Sequence, residues 1–174
     1  AILRRPVRGL LAAVCLILPL LHSVPAAADS IVNGHLAFGG PSGVGVVNPD
    51  GIVPHAITAG AEDANPSWSP GGQRIAYQSN ADGNFDIYGI AADGSGSPTH
   101  LTFGRANDID PAFSPDGQRL AFSSDRTGDN ELFVKTLGGG LLQLTHVPAS
   151  SETQPTWSAD ATTSTPRTGR REIS

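Results

Sequence analysis

A segment of about 45 residues occurs twice in this chain, and a third copy begins before its pattern is lost. The copies open at Pro66, Pro111 and Pro155, which lie 45 and 44 residues apart. A fixed period of this length is typical of repeat folds, in which each unit buries its apolar face against its neighbours. The repeat therefore predicts a stack of similar units rather than a single closed core.

Short apolar runs separated by Gly, Pro and Asp-Gly turns predict an all-β fold. Asp116 and Gly117 form such a turn, because Asp bonds to the nearby backbone and Gly accepts a positive φ. Four antiparallel strands per repeat of this length make one blade of a β-propeller. The predicted strands are Pro66–Ser69, Arg74–Gln78, Phe85–Ile90 and Thr99–Thr102 in the first copy, and Ala112–Ser114, Arg119–Ser123, Glu131–Thr136 and Leu141–Thr145 in the second.

The repeats predict about three blades plus a degenerate fourth, in an incomplete ring. Residues 31–60 are a degenerate blade that lacks its first strand, residues 63–103 and 108–146 are complete blades, and residues 152–160 begin another. The two ends supply complementary parts, which predicts that they combine into one composite blade. Residues 161–174 lose the pattern, and we expect a degenerate, disordered tail. Since propellers have about four to eight blades, the chain is a fragment, or copies associate to complete a ring, or it stays an open arc.

Residues 1–28 have the organisation of a secretory signal peptide. Three arginines precede an apolar run from Leu10 to Leu21, and Ala26, Ala27 and Ala28 offer a cleavage site. The run is too short for an ordinary helix across a bilayer of about 30 Å. We therefore expect a signal helix that is cleaved, no stable membrane span afterwards, and a periplasmic or secreted protein. A retained anchor is the alternative.

The charge narrows the class of partner, and the cysteine content shows how the exported chain is stabilised. The formal net charge of −5 becomes −8 without the three signal-peptide arginines. Such an acidic protein is a poor match for nucleic acid or for anionic membrane surfaces. The single cysteine, Cys15, lies in the signal peptide, so the exported chain has no disulfide and depends on packing.

An acid precedes the repeated proline in every copy, at Asp63, Asp108 and Glu152. These acids could form a ring that binds a cation or a basic peptide. The alternative is a structural role between blades, which their repetition in every copy favours. His55 and His100 occupy equivalent positions before the last strand and are further candidates for partner binding.

Trp68, Phe113 and Trp157 share one repeat position. A large aromatic at an equivalent place in each blade would fill the space between blades, and stacking on a sugar is the alternative. With these three, the positions expected to be structural are Pro66, Pro111, Asp116, Gly117 and Pro155.

Motifs of catalysis and metal binding are missing from the sequence. It contains no G-x-S-x-G nucleophile elbow and no H-E-x-x-H zinc motif. The loop with Asp82, Asn84 and Asp86 is too short for a calcium site of the EF-hand type, which needs about twelve residues. We predict no catalytic residue, no metal and no cofactor.

The pattern Pro-x-Trp/Phe-Ser-Pro-Asp-Gly-x-x-Leu/Ile-Ala-Phe/Tyr, followed by Asp-Ile-Tyr or Glu-Leu-Phe and then Leu-Thr, resembles the WD-type repeat of TolB-like propellers. The resemblance covers residues 63–158 well and residues 31–60 weakly. TolB is a periplasmic component of the Tol–Pal envelope system and binds the peptidoglycan-associated lipoprotein. The resemblance therefore implies an exported, non-enzymatic scaffold that binds an envelope or extracellular protein. Only a few residues separate Asp29 from the first blade-like unit, so the α/β domain that precedes the TolB propeller is not expected here.

Two other functions stay open at this stage. A propeller-type polysaccharide lyase or hydrolase, or the accessory propeller of a peptidase, would need His, acid and Arg groups that converge from several blades. The groups available are His55, His100, Asp63, Asp108 and Arg105. The second alternative is a truncated remnant of a longer propeller protein, which the broken repeat after Pro155 motivates.

Overall fold

The computed structural model describes residues 34–49, 54–159 and 164–165, and these residues are all β-strand, turn or loop. The all-β prediction is confirmed, and the predicted signal helix lies outside the described residues. None of the described residues belongs to a helix with the length and hydrophobicity that a membrane span needs. The strands are β1 (Leu36–Gly40), β2 (Gly43–Val47), β3 (His55–Ala56), β4 (Ala64–Trp68), β5 (Arg74–Ser79), β6 (Asp86–Ala91), β7 (Thr99–His100), β8 (Asp108–Phe113), β9 (Arg119–Ser124), β10 (Glu131–Thr136), β11 (Leu141–Gln143), β12 (Thr156–Trp157) and β13 (Ser164–Thr165).

Two complete blades of four antiparallel strands form the centre of the arc. Strands β4 to β7 make blade 2 and strands β8 to β11 make blade 3, each in chain order, whereas β1 to β3 make the three-stranded blade 1. The first strands succeed one another from blade to blade, since β4 lies against both β1 and β8, and β12 lies against β8. The described residues thus form an open ring of propeller blades, as the repeat predicted.

Within the described residues, the C-terminal strand β12 and blade 1 do not combine into a composite blade. Strand β12 pairs with β13, through Thr156 with Thr165 and Trp157 with Ser164. The sheet of blade 1, as far as its residues are described, consists of β1, β2 and β3. The prediction of a shared blade is wrong because β12 lies against blade 3, whereas blade 1 lies against blade 2. Strand β13 also falls within the predicted disordered tail. It needs no apolar sequence because its pairing uses backbone groups, and the rest of the tail lies outside the described residues.

The residue before the repeated proline has a left-handed backbone conformation in all three copies. Asn65, Asp110 and Gln154 have φ of 51°, 55° and 56°, and both β4 and β8 shift register at this point. A residue before proline avoids the right-handed helical region, and short polar side chains tolerate the left-handed one. The distortion links the blades, because Asn65 Nδ2 donates to Asp110 Oδ1 (2.6 Å) and the Gln154 N–H donates to Asp110 Oδ2 (3.2 Å).

The apolar core consists of two clusters, one on each side of blade 2. Because side chains alternate along a strand, Ile75 and Tyr77 of β5 face blade 1 while Ala76 faces blade 3. Blade 2 therefore buries one face against blade 1 and the other against blade 3. The cluster towards blade 1 contains Val44, Val46, Ile57, Ile75, Tyr77, Tyr88, Ile90 and Ala92, and the cluster towards blade 3 contains Ala76, Ile87, Leu120, Phe122 and Phe133.

Candidate functional site

The three repeated acids are buried. Asp63, Asp108 and Glu152 are 5%, 1% and 7% exposed. Burial of a carboxylate costs free energy unless the group is paired or hydrogen-bonded. The contacts of each acid therefore decide whether it serves the fold or could serve a ligand, and these contacts differ between the copies.

Asp108 is paired with Arg126. One terminal guanidinium nitrogen of Arg126 lies 2.7 and 2.8 Å from the two carboxylate oxygens, and Nε donates to Ser124 Oγ at 2.9 Å. The guanidinium also covers the rings of Phe122 and Phe133, with 5.6 and 4.8 Å to the ring centroids. This geometry neutralises the Asp108 charge within the protein and favours a structural role for this acid.

Asp63 has no basic partner among the described residues, although it occupies the equivalent position. Its Oδ2 accepts a hydrogen bond from the Gly60 N–H at 3.1 Å. The carboxylate borders a cavity of about 370 Å³ between blades 1 and 2, here called the Asp63 cavity. Tyr77 and Tyr88 line it with stacked rings, 5.9 Å between centroids and 26° between planes. Burial, with the nearby charge of Asp63, raises the pKa of Tyr77.

Glu152 is held by local hydrogen bonds. Its carboxylate accepts from the Ser150 hydroxyl, its N–H donates to Asn130 O at 2.8 Å, and its carbonyl accepts from Ser123 Oγ at 2.6 Å. The second carboxylate oxygen, Oε2, is buried without a hydrogen-bond partner among the described residues. Glu152 thus fastens the start of the third copy to blade 3.

The two candidate histidines have different surroundings. His55 is exposed on β3, beside a second cavity of about 170 Å³. His100 Nε2 lies 2.9 Å from Asp82 Oδ2, which also accepts from the Tyr88 hydroxyl at 2.9 Å. Burial and the Asp82 carboxylate raise the pKa of Tyr88 to about 12. Among the described residues, neither histidine makes a hydrogen bond or ion pair with a repeated acid.

The shared aromatic position lies between blades. Trp68 packs on the cluster between blades 1 and 2, and Phe113 packs on the cluster between blades 2 and 3. Trp157 Nε1 donates to Ala112 O at 2.9 Å, and the Arg119 guanidinium lies 4.7 Å from the centroid of its ring. These contacts favour a packing role over sugar stacking.

The turn after the repeated aromatic is closed by its own side chains. Gly117 has a φ of 68°, and its N–H donates to Ser114 O at 2.8 Å. Asp116 accepts from the Ser114 hydroxyl and from the Gln118 N–H, and these hydrogen bonds hold the pKa of Asp116 below its usual value. Asp116 Oδ2 also lies 3.6 Å from a terminal guanidinium nitrogen of Arg119, and Gly117 lies beside Pro70 of blade 2.

Comparison with known families decides what kind of propeller this is. The family model described as PD40, the TolB beta propeller domain, matches residues 55–167, more than half of the chain. The chain belongs to the TolB propeller family. Among solved structures, this TolB-like propeller is similar to a protein assigned as TolB from Agrobacterium tumefaciens, with 29% identity and a TM-score of 0.63. The match covers 68% of this chain and 42% of that one.

Two enzymes of known structure are also similar to this TolB-like propeller. A puromycin-hydrolyzing peptidase from Mycobacterium tuberculosis has 25% identity and a TM-score of 0.54, over 71% of this chain and 22% of that one. An oligogalacturonate lyase has 17% identity and a TM-score of 0.53, over 72% and 37%, which shows the fold alone. The chain spans less than half the length of each of these solved relatives. No curated protein sequence matches it.

Sequence reasoning missed most of the residues around the Asp63 cavity. It named Asp63, but not Tyr77, Ser79, Ala81 or Tyr88, which line the same space. A position-by-position alignment of the two complete blades would have identified these residues from the sequence. Across the residues that the structure describes, no three His, Cys, Asp or Glu side chains are grouped as metal ligands would be.

The two tryptophans of this TolB-like propeller are expected to respond differently to replacement by phenylalanine. Trp68 Nε1 is buried without a hydrogen-bond partner among the described residues, so Trp68→Phe removes an unpaired donor. Trp157→Phe removes the bond to Ala112 O and should cost about 1 kcal/mol more than Trp68→Phe. Urea denaturation of both variants measures this difference, since the loss of ring volume is common to them. Equal losses would show that the Trp157 hydrogen bond contributes nothing.

Proposed function

We propose that this TolB-like propeller is an exported, non-enzymatic scaffold that binds a protein of the cell envelope or extracellular space. The observation that carries the proposal is an apolar edge on blade 3. Strand β11 is the outermost strand there, and Leu142 within it is 62% exposed. Clustered apolar side chains at an exposed strand edge favour contact with another protein. The β11 edge consists of Leu141, Leu142, Leu144 and Val147, all at least 40% exposed.

Three further observations support this function. The first 28 residues have the pattern of an export signal, the net charge is negative, and the carboxylates of Asp108 and Glu152 are engaged by neighbouring side chains. The family makes the peptidoglycan-associated lipoprotein the first partner to test. Association of two copies into a six-blade ring is an alternative use of the same apolar surface.

Leu142→Asp tests the β11 edge directly. Because Leu142 is 62% exposed, the variant should fold normally, and a charge in a desolvated contact should weaken partner binding at least about tenfold. Calorimetric titration with the purified lipoprotein of the same organism measures the affinity. Ser97→Asp is the matched control, since it adds the same charge to an exposed loop of blade 2.

Light scattering on the full chain, with and without Leu142→Asp, separates partner binding from self-association. A dimer that Leu142→Asp disrupts would assign the edge to a second copy instead of a lipoprotein. Lipoprotein binding that Leu142→Asp leaves unchanged would contradict the role of the β11 edge. If neither the lipoprotein nor any exported protein crosslinked through position 142 binds in purified form, the scaffold proposal fails.

A second candidate function is the propeller part of a peptidase. The observation in its favour is the 25% identity to the puromycin-hydrolyzing peptidase, of which this chain spans 22%. The full chain should then be inactive alone and become active when mixed with a separate hydrolase domain. Under the scaffold proposal, puromycin incubated with the chain stays intact, and release of the amino acid would overturn the non-enzymatic assignment.

A further inference from the structure

The Asp63 cavity repeats, one blade away, the walls of the site that holds Arg126. The two ring pairs have nearly the same geometry: Tyr77 and Tyr88 lie 5.9 Å apart at 26°, and their counterparts in blade 3 lie 6.0 Å apart at 22°. An acid and a serine complete both sites. At a spacing of 45 residues, the matched pairs are Asp63 and Asp108, Tyr77 and Phe122, Ser79 and Ser124, and Tyr88 and Phe133.

The two sites differ at the residue that would fill them. Alanine stands at position 81, where blade 3 has Arg126. The backbone is held in the same way in both blades, since the Ala81 N–H donates to Ser79 Oγ at 3.3 Å and the Arg126 N–H donates to Ser124 Oγ at 3.4 Å. A methyl group cannot reach the acid, so the cavity remains open between Ala81 and Asp63.

The charge balance of the two sites differs as well. Asp108, 1% exposed, has its charge neutralised by the guanidinium of Arg126. Asp63, 5% exposed, receives one backbone hydrogen bond and no cation from the described residues. A buried carboxylate of this kind gains most from a cation that also offers hydrogen-bond donors.

We propose that the Asp63 cavity binds a guanidinium group supplied by another molecule. Asp63 would accept its charged hydrogen bonds, Ser79 Oγ would accept a further one, and Tyr77 and Tyr88 would stack on its face. A guanidinium is planar and weakly hydrated, and it suits such a site better than the compact, strongly hydrated ammonium of lysine. The source is the side chain of an arginine in a partner protein or a free arginine-like molecule. The β11 edge shares no residue with this site, so the inference stands apart from the proposed scaffold function.

The first test is calorimetric titration of the full chain with Nα-acetyl-arginine amide, free arginine and Nα-acetyl-lysine amide. The arginine amide should bind at least about tenfold more tightly than the lysine amide, which corresponds to about 1.4 kcal/mol. Tighter binding of the amide than of free arginine would identify a protein side chain as the ligand, and the reverse order a free molecule. Equal affinity for the arginine and lysine amides would overturn the proposal.

The second test fills the cavity from within. Ala81→Arg should place a guanidinium in the Asp63 cavity, at the position in blade 2 that corresponds to Arg126 in blade 3. The substitution should therefore raise the melting temperature and abolish binding of the arginine amide. Ala81→Gln, of similar reach but uncharged, is the control and should do neither. Asp63→Asn should weaken binding at least about tenfold, and circular dichroism checks its fold. If Asp63→Asn fails to fold, Ala81→Arg still decides, because unchanged stability together with unchanged binding would contradict the assigned site.

Discussion

Arg126→Ala is expected to destabilise the protein by about 3–5 kcal/mol. The substitution leaves the carboxylate of Asp108, which is 1% exposed, buried without its cation. It also removes the guanidinium from the rings of Phe122 and Phe133 and its hydrogen bond to Ser124 Oγ. Chemical denaturation followed by tryptophan fluorescence measures the loss in the free energy of unfolding.

Two control variants isolate the buried charge. Arg126→Lys keeps the positive charge but loses the planar fork, so it should lie between the wild type and Arg126→Ala. Combining Arg126→Ala with Asp108→Asn removes the uncompensated charge and should recover a large part of the stability. A double variant that is no more stable than Arg126→Ala would show that the ring contacts, and not the charge of Asp108, account for the effect.

Phe122→Ala is expected to cost about 3–5 kcal/mol. Phe122 is fully buried in the cluster between blades 2 and 3, where its ring stacks on that of Phe133 at 6.0 Å. Truncation removes apolar contacts and leaves a cavity that the neighbouring strands close only partly. Thermal and urea unfolding of the purified variant measure the loss.

Phe103 provides the matched control in the same chain. It is 68% exposed beside His100, so Phe103→Ala should change the free energy of unfolding by no more than about 0.5 kcal/mol. Similar losses for Phe122→Ala and Phe103→Ala would contradict the packing of the interblade cluster. Combining Phe122→Ala with Arg126→Ala should cost less than the two separate losses together, because the two side chains are in contact.

The strands could be predicted from the repeat, but their ends could not. The predicted last strands, Thr99–Thr102 and Leu141–Thr145, end earlier as β7 and β11. Thr102 Oγ1 accepts the Ile87 N–H at 2.9 Å, and Thr145 Oγ1 accepts the Leu132 N–H at 2.8 Å. A hydroxyl side chain takes over a backbone hydrogen bond there and ends the ladder. Periodicity does not reveal such local competition.

The candidate site shows a different limit of repeat-based reasoning. Asp63, Asp108 and Glu152 were predicted as one set because they occupy equivalent positions in the repeats. In the structure each of them has different partners. The partner of the acid depends on a position at which the two copies differ. Blade 2 has Ala81 there, and blade 3 has Arg126. The composite blade was mispredicted for a related reason, since the pairing of β12 depends on which blade lies beside it, and a sequence period does not specify that neighbour.

The left-handed residues before the repeated prolines have a consequence for how the arc unfolds. Asp110 accepts hydrogen bonds from Asn65 of the preceding copy and from Gln154 of the following one. Order in one copy thus favours order in the next, which is the nearest-neighbour coupling of a one-dimensional chain of units. A carboxylate that spans three copies raises the free energy of any state in which one blade melts alone. We therefore expect the blades to unfold together in one cooperative transition, although each repeat forms its own sheet.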